Sequence, residues 1–117
     1  MINFACKKFN LDDIIKCGLG LTKKEFEIFK YFLANSKTEH TTIGMIKKLN
    51  LGLTTIQKAV KKLFGQEVII RHQKNLQNGG YIFTYECNSK MQIRKKIKQI
   101  IQSWSTKVEN KIDRWRG

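Results

Sequence analysis

Hydrophobic residues recur every three or four positions over most of the first half of the chain, which is the spacing of helices with one buried face. A short helix is predicted over Leu11–Cys17, with Asn10 or Asp12 as its N-cap and with Gly18 and Gly20 ending it. Residues 1–10 show no clear pattern.

A longer helix is predicted to begin after Thr22. Thr22 and Glu25 stand three residues apart, which is the spacing of a capping box. The apolar residues between positions 26 and 33 form a set wider than one stripe, and the helix is expected to end near Asn35. Because a helix that is apolar on more than one side is usually packed between other elements, this helix is expected at the centre of the core.

Two short helices joined by a tight turn come next. Thr41 or Thr42 caps the first helix, and Asn50 and Gly52 end it after about two turns. Its predicted apolar positions are Ile43, Ile46 and Leu49. The second helix is predicted over about residues 53–65, with core positions Ile56, Ala59, Val60, Leu63 and Phe64. Its other face has no acidic residue and carries Thr54, Gln57, Lys58, Lys61 and Lys62.

The hydrophobic period then changes from helical to strand-like. Val68–Arg71 and Tyr81–Tyr85 are rich in β-branched and aromatic residues, and the polar segment 72–80 between them ends in Asn-Gly-Gly. Two such runs around a glycine-containing loop predict a β-hairpin.

From Ser89 onward the chain is predicted to be one helix of about seven turns. Its apolar residues are Ile93, Ile97, Ile100, Ile101, Trp104, Val108, Ile112 and Trp115. Such a long stripe on a terminal helix of a small domain predicts an interface with a second copy of the chain. The alternative is that the helix folds back on its own domain.

The net charge of the chain indicates which kinds of partner it could bind. The chain has 117 residues, which is the size of one domain, and 23 basic against 9 acidic residues give a net charge of +14. Such an excess is typical of nucleic-acid-binding proteins, although anionic membranes and acidic proteins also attract it. No apolar run approaches the roughly 18 residues of a membrane span, and no signal peptide is recognisable. We therefore expect a cytoplasmic, nucleoid-associated protein that does not bind membranes.

No residue pattern indicates catalysis, a metal or a cofactor. The cysteines, Cys6, Cys17 and Cys87, are odd in number and irregularly spaced, so neither a disulfide framework nor a zinc site is predicted. They are expected to be buried or half-buried thiols; the alternative is a redox-sensing thiol, for which Cys6 beside two lysines is the best candidate. His40 and His72 are far apart and have no catalytic partners in the sequence, so the protein is not expected to be an enzyme.

Two short helices, a tight turn and a hairpin are the components of a winged helix-turn-helix. The predicted fold class is mainly α with a small β-hairpin (α+β), extended by a long C-terminal dimerisation helix. We expect one domain, in which residues 1–88 form the winged helix, with 1–21 as an N-terminal extension, and residues 89–117 form the dimerisation helix.

Several segments resemble the winged-helix regulators of the TrmB-like and MarR-like families, of the kind common in archaea. The segments are Gly20–Glu25 (GLTKKE), Leu49–Ile69 (LNLGLTTIQKAVKKLFGQEVI), Gly79–Tyr85 (GGYIFTY) and the basic helix from Arg94 to Trp104. The resemblance implies a DNA-binding domain and a dimer formed through the aromatic end of the C-terminal helix. The chain is too short to include the sugar-binding domain of the larger TrmB proteins, so a sugar effector is not implied, and whether another small molecule acts as an effector stays open.

Three positions depart from this pattern. Gly52 stands where a serine usually caps the recognition helix, and Leu53 stands where a polar contact residue is common. Leu53 is expected either to touch a thymine methyl group or to turn inward. Glu67 replaces the usual glycine before the first strand.

The predicted DNA contacts follow from the geometry of a helix in the major groove. The candidates for contact with base edges are Thr54, Gln57 and Lys58. The candidates for phosphate contact are Lys47, Lys48, Lys61 and Lys62. The wing, at about residues 72–80, is expected on the backbone or in the minor groove through Lys74, Asn75, Gln77 and Asn78.

The sequence thus predicts a homodimeric, sequence-specific regulator of transcription that binds double-stranded DNA. Two alternatives stay open at this point. One is an architectural nucleoid protein with little sequence preference, and the other is a winged helix used for protein assembly. The basic run Arg94–Lys98 is expected either to lengthen the phosphate footprint or to be a solvated face.

Overall fold

A computed structural model describes residues 2–4 and 7–117 of the chain. The helices are α1 (Leu11–Gly18), α2 (Lys23–Ala34), α3 (Thr42–Leu49), α4 (Leu53–Gly65) and α5 (Lys90–Asp113). The strands are β1 (Ile2–Phe4), β2 (Lys7–Phe9), β3 (Ile69–Asn75) and β4 (Tyr81–Cys87). The predicted fold class is confirmed: the fold is α+β, with a two-stranded hairpin after the helix-turn-helix and a long C-terminal helix. The antiparallel pair β1–β2 lies where the sequence showed no pattern, and Cys6 lies outside the described residues.

Side-chain caps begin four of the helices. Asn10 rather than Asp12 caps α1, and Thr41 rather than Thr42 caps α3, with its hydroxyl 3.0 Å from the Gly44 amide. The predicted capping box of α2 is present: the Thr22 hydroxyl accepts a hydrogen bond from the Glu25 amide, and the Glu25 carboxylate accepts one from the Thr22 amide at 2.8 Å. These caps satisfy amide groups that have no partner within the helix.

The core is built around α2, as the sequence predicted. Its largest fully buried side chains come from α2, α3, α4 and the β3 region, and they include Phe29, Phe32, Met45 and Leu63. The expectation for Ile43 was wrong, since this residue is 65% exposed. Met45 takes the buried position on α3, because it lies two residues and thus about 200° further around the helix. Phe64 is also more exposed than predicted, at 37%.

A buried carboxylate joins α4 to the start of α2. The Lys62 ammonium group donates to Glu25 at 2.9 Å and to the Gly20 carbonyl at 3.2 Å. One turn later, the Gln66 amide donates to the Leu19 carbonyl at 3.3 Å. The C-terminal half of α4 is therefore attached to the α1–α2 connection. Lys62 makes these contacts within the fold while its side chain remains 45% exposed, and its predicted contact with phosphate stays a prediction.

The hairpin is longer and its loop shorter than the sequence indicated. β3 continues to Asn75, which pairs with Tyr81, so that His72 and Lys74 are strand residues and only residues 76–80 form the loop. His40 adds a bridge to Tyr85 on the outer side of β4, with N···O distances of 2.7 and 2.8 Å. Glu67, at the position where the pattern has glycine, adopts a left-handed backbone with φ 63°.

The apolar stripe of α5 divides into two parts. Ile93 is buried in the core, and Ile97 and Ile100 are half-buried against it. A Cβ atom added at Gly18 would lie 3.3 Å from Ile100, which shows how closely α1 and α5 approach. The prediction that Ile93 faces a second subunit was wrong, because the first half of α5 folds back on its own domain.

No helix within the described ranges is both long and apolar enough to cross a membrane.

The ion pair of Glu25 generates a prediction for stability against pH. Burial raises the pKa of this carboxyl group, but hydrogen bonds from Thr22 and Lys62 outweigh burial and hold the pKa below its ordinary value. The unfolded chain therefore binds the proton more tightly, so the stabilisation is complete above the ordinary carboxyl pKa and is lost as the pH falls through the folded pKa. Glu25→Gln keeps a capping-box side chain but removes the charge. It is expected to lower the free energy of unfolding at neutral pH by about 1–3 kcal/mol.

Urea unfolding of both proteins between neutral and acidic pH checks this expectation. The difference between wild type and Glu25→Gln should shrink as the pH falls. Glu27→Gln, at an exposed glutamate of the same helix, is the matched control and should change stability little at any pH. A Glu25→Gln deficit that is the same at every pH would contradict the role of the charge.

Candidate nucleic-acid interface

The outer face of α4 is polar, basic and exposed. Thr54, Gln57, Lys58 and Lys61 follow one another at spacings of three, one and three residues, which places them on one side of the helix. All four side chains are exposed, while the opposite side of α4 is buried in the core. The structure therefore brings the three predicted base-edge residues and Lys61 together on one surface.

The start of α4 is the least protected part of this surface. Gly52 is the N-cap and provides no side-chain hydrogen bond, as its lack of a side chain implied. Leu53 is 46% exposed, so it points outward rather than into the core. The first turn of α4 thus leaves its amide groups and one apolar side chain accessible from outside.

The turn between α3 and α4 depends on Asn50. Its backbone is left-handed, with φ 53°, and its amide donates to the Ile46 carbonyl at 3.0 Å. Asparagine tolerates this conformation better than most residues. Lys47 and Lys48 lie exposed in the last turn of α3, next to this turn. Their positive charges also interact favourably with the C-terminal end of the helix dipole.

Two basic residues of the hairpin, His72 and Lys74, already have acidic partners. The Lys74 ammonium lies 3.2 Å from a carboxylate oxygen of Glu39, whose other oxygen accepts a 2.6 Å hydrogen bond from the Thr84 hydroxyl. Hydrogen bonds from Thr84 and then from Lys74 lower the pKa of Glu39. His72 and Glu86 also interact, at 3.0 Å across the two strands. Sequence reasoning missed Glu39 and Thr84, because they meet across 45 positions of the chain.

The tip of the hairpin carries the remaining wing candidates. Asn75, Gln77 and Asn78 are all exposed. Gly79 and Gly80 have φ of 87° and 78°, a conformation that residues with a Cβ atom rarely adopt. The two glycines thereby allow the tight return of the chain that presents the amide side chains at the tip.

One basic residue of the hairpin was not among the predicted contacts. Arg71 is exposed, and its guanidinium carbon lies over two rings, 4.5 Å from the centroid of Phe64 and 4.3 Å from that of Phe83. Tyr81 continues the aromatic row, with its ring 5.2 Å from that of Phe83. No sequence signal identifies this cluster, since Phe64 belongs to α4 and the others to two different strands.

A second basic surface lies on α5. Arg94, Lys95 and Lys98 are exposed and have no ion-pair partner among residues 8–117. With Met91, Gln99 and Gln102 they line a shallow surface on the side of the helix away from the core. The α5 helix packs on α1, whereas the main neighbours of α4 are α2, α3 and β3. This surface is therefore separate from the outer face of α4.

The described residues do not form a metal site, and the two described cysteines are not paired. Within residues 2–4 and 7–117, no cluster of histidine, cysteine and acidic side chains has the geometry to hold a metal ion. Cys17 is exposed and Cys87 is buried, where burial and then the charge of Glu86 raise the pKa of its thiol. A raised pKa keeps Cys87 in the less reactive thiol form.

Comparisons with known proteins agree with this geometry. A structure of a possible transcriptional regulator from Methanosarcina mazei Go1 is 41% identical, with a TM-score of 0.90 over 100% of this chain and 98% of that chain. The transcriptional regulator BldR from Sulfolobus solfataricus shares the fold at 13% identity, with a TM-score of 0.50 over 91% of this chain and 71% of its own. The uncharacterized protein MJ1503 from Methanocaldococcus jannaschii is 24% identical over 113 residues, which are 97% of this chain and 84% of that protein.

The family itself is shown by a match to a sequence model. The resemblance to TrmB-like and MarR-like proteins stays a prediction, although the similarly folded proteins include a possible transcriptional regulator and the transcriptional regulator BldR. The model of the DnaD N-terminal domain matches residues 9–108, which is most of the chain. The chain therefore belongs to the DnaD N-terminal domain family.

Proposed function

We propose that this protein is a homodimeric regulator of transcription that binds duplex DNA in a sequence-specific manner, with α4 in the major groove. The observation that carries the proposal is the outer face of α4, where Thr54, Gln57, Lys58 and Lys61 are exposed on a helix whose other face is buried. The 41% identity to a possible transcriptional regulator supports the same function.

The chemistry of this face suits the edges of base pairs and the phosphates beside them. A glutamine amide can form two hydrogen bonds with adenine, and a lysine ammonium can donate to the acceptors of guanine. Gln57 and Lys58 are assigned these roles, with Thr54 beside them. Lys61, one turn further along α4, and Lys47 and Lys48 on α3 are assigned to phosphates.

The wing contributes mainly polar groups. Because Lys74 already pairs with Glu39, its charge is partly compensated before DNA arrives. The amides of Asn75, Gln77 and Asn78 are exposed at the tip and are assigned to the backbone or the minor groove. The wing therefore positions the protein on the duplex more than it adds electrostatic attraction.

The second half of α5 is assigned to the dimer. Ile101, Val108 and Ile112 are exposed at 44%, 36% and 59%, and Trp104 and Trp115 at 65% and 77%. These apolar groups have little contact with their own domain, and an exposed row of this kind is expected to be covered by a partner. A second copy presents the same row and can cover it symmetrically. The winged helix at 1–88 is then joined to its partner through 89–117.

We place this function in the cytoplasm, on the nucleoid, and assign the protein no catalytic activity and no cofactor. The regulators with a similar fold support a role in gene control rather than in catalysis. The weakly capped start of α4 favours one alternative, an architectural protein with little sequence preference, because Gly52 and Leu53 provide no polar contact to bases.

Binding selection from a random duplex library, at roughly physiological salt, tests the proposal directly. An enriched inverted repeat with half-sites about one helical turn apart would support a sequence-specific dimer. Retention of DNA without a motif would favour the architectural alternative. Failure to retain duplex DNA even at low salt would contradict DNA binding and indicate a role in protein assembly.

Substitution of Gln57 is expected to change specificity more than general affinity. Gln57→Ala should relax the preference at one base pair of the selected site and cost about 1–3 kcal/mol there. Lys61→Gln is the comparison, because loss of a phosphate contact should weaken binding to all sequences and reduce the slope of log K against log salt by about 1. Competition titrations with single-base variants of the site measure both effects. An equal loss on every sequence for Gln57→Ala would contradict its contact with a base.

Substitution of the exposed row of α5 is expected to separate the subunits. The double variant Trp104→Ser/Ile112→Ser removes two of the largest exposed apolar groups, so sedimentation should show a monomer where the wild type is a dimer. Met91→Ser is the matched control, because Met91 is 75% exposed on the basic side of the same helix and should leave the dimer intact. Circular dichroism should be unchanged in both variants, since Ile93 still anchors α5. A wild-type protein that sediments as a monomer would contradict the dimer.

A further inference from the structure

Arg71 occupies the junction between the recognition helix and the wing. It is the third residue of β3 and pairs with Tyr85, so its backbone is fixed by the hairpin. Its side chain spans two elements, because Phe64 lies in the last turn of α4 and Phe83 lies on β4. The guanidinium group, over both rings at 4.5 and 4.3 Å, is held in one place by contacts that do not use its N–H groups.

The hydrogen-bonding capacity of Arg71 is unused. A guanidinium has five N–H donors in a planar fork, and they lie at its rim rather than on the faces that contact aromatic rings. Within the described part of the chain, no carboxylate or carbonyl group pairs with Arg71. The neighbouring basic groups differ in this respect, since Lys62 pairs with Glu25 and Lys74 with Glu39.

We infer that Arg71 is a preorganised binding site for a backbone phosphate of duplex DNA, supported by Phe64 and Phe83. The inference rests on the proposed function and adds a contact that joins the two DNA-binding elements. With α4 in the major groove and the wing on the neighbouring backbone or minor groove, the phosphate strand between the grooves passes the helix–wing junction. A phosphate presents two oxygens that match the fork of an arginine, which an ammonium group cannot contact in the same way.

The aromatic rings explain why the residue is arginine rather than lysine. A free arginine side chain loses rotamer freedom when it binds, and this loss weakens the complex. Contact with Phe64 and Phe83 restricts Arg71 before DNA arrives, so less freedom is lost on binding. The positive charge of Arg71 attracts the phosphate, while the two rings hold the guanidinium group in place.

The experiment measures the affinity of the 117-residue chain for one duplex over a range of salt concentrations. Arg71→Lys keeps the charge but removes the fork and its stacking, Arg71→Gln removes the charge as well, and Phe83→Leu removes one supporting ring. Arg116→Lys is the matched control, since Arg116 is exposed beyond the end of α5 and has no described partner. Thermal unfolding of each variant establishes that the fold is retained.

The expected dissociation constants and salt slopes distinguish the effect of holding the guanidinium group in place from the effect of its charge. Arg71→Lys should raise the dissociation constant about fivefold with an unchanged salt slope, because the number of phosphates neutralised is the same. Arg71→Gln should raise it further and reduce the slope by about 0.9, the value for one phosphate. Phe83→Leu should resemble Arg71→Lys, and Arg116→Lys should bind like the wild type.

Other outcomes overturn the inference in distinguishable ways. If Arg71→Lys or Phe83→Leu binds like the wild type, the inference that aromatic rings hold the guanidinium fork of Arg71 for a phosphate is wrong, although the proposed function stands. If Arg71→Gln also binds like the wild type, Arg71 does not contact DNA and is available to a protein partner. If the wild type itself does not bind duplex DNA, the proposed function and this inference both fail.

Discussion

The packing of α4 against α2 is the interaction on which the rest of the structure depends. The buried side chains of α4 meet Ile28, Phe29 and Phe32 of α2, so the rotation of α4 about its own axis is decided by what it buries. The ion pair between Lys62 and Glu25 adds a polar contact at one end of the same interface. Once the inner face is occupied, only Thr54, Gln57, Lys58 and Lys61 can face outward as a group.

Because of this packing, basic residues that carry the same charge differ in what surrounds them. Lys62 lies one position after Lys61, yet it points back to the capping box of α2 and holds the fold together. Lys74 is tied to Glu39 at the base of the wing. Arg71 has its faces against aromatic rings and its donors free. A strongly basic chain thus divides into residues that stabilise the fold and residues that remain available to an anionic partner.

The long C-terminal helix shows the same division along its length. Its first half contributes Ile93 to the core and approaches Gly18 so closely that a Cβ atom there would lie 3.3 Å from Ile100. Its second half leaves the domain with an exposed apolar row that includes Trp104 and continues to Trp115 just beyond the helix. One continuous stripe in the sequence therefore serves two different surfaces, and the boundary lies after Ile100, the last apolar residue of α5 that packs against the core.

Local signals in the sequence were sufficient for every element of the fold except β1 and β2, whose residues showed no pattern. The Thr22–Glu25 spacing, the interruption at Asn50 and Gly52, the Asn-Gly-Gly loop and the start of a helix at Ser89 depend on residues within a few positions of each other, and the structure has each of them. The outward face of α4 could be predicted for the same reason, because a helix with one apolar side leaves only the other side free.

Contacts between distant parts of the chain could be decided only by the tertiary structure. Periodicity indicates that an apolar residue will be covered but does not say by what. The sequence therefore could not distinguish Ile93, which is buried in its own domain, from Trp104, which is exposed. Likewise, the ion pair of Lys62, the pairing of Lys74 and the placement of Arg71 each join elements that the sequence separates. The sequence by itself determined the elements from α1 onward and the face that α4 presents, since these depend on neighbours along the chain. The fold decided which charges remain free, because that depends on neighbours in space.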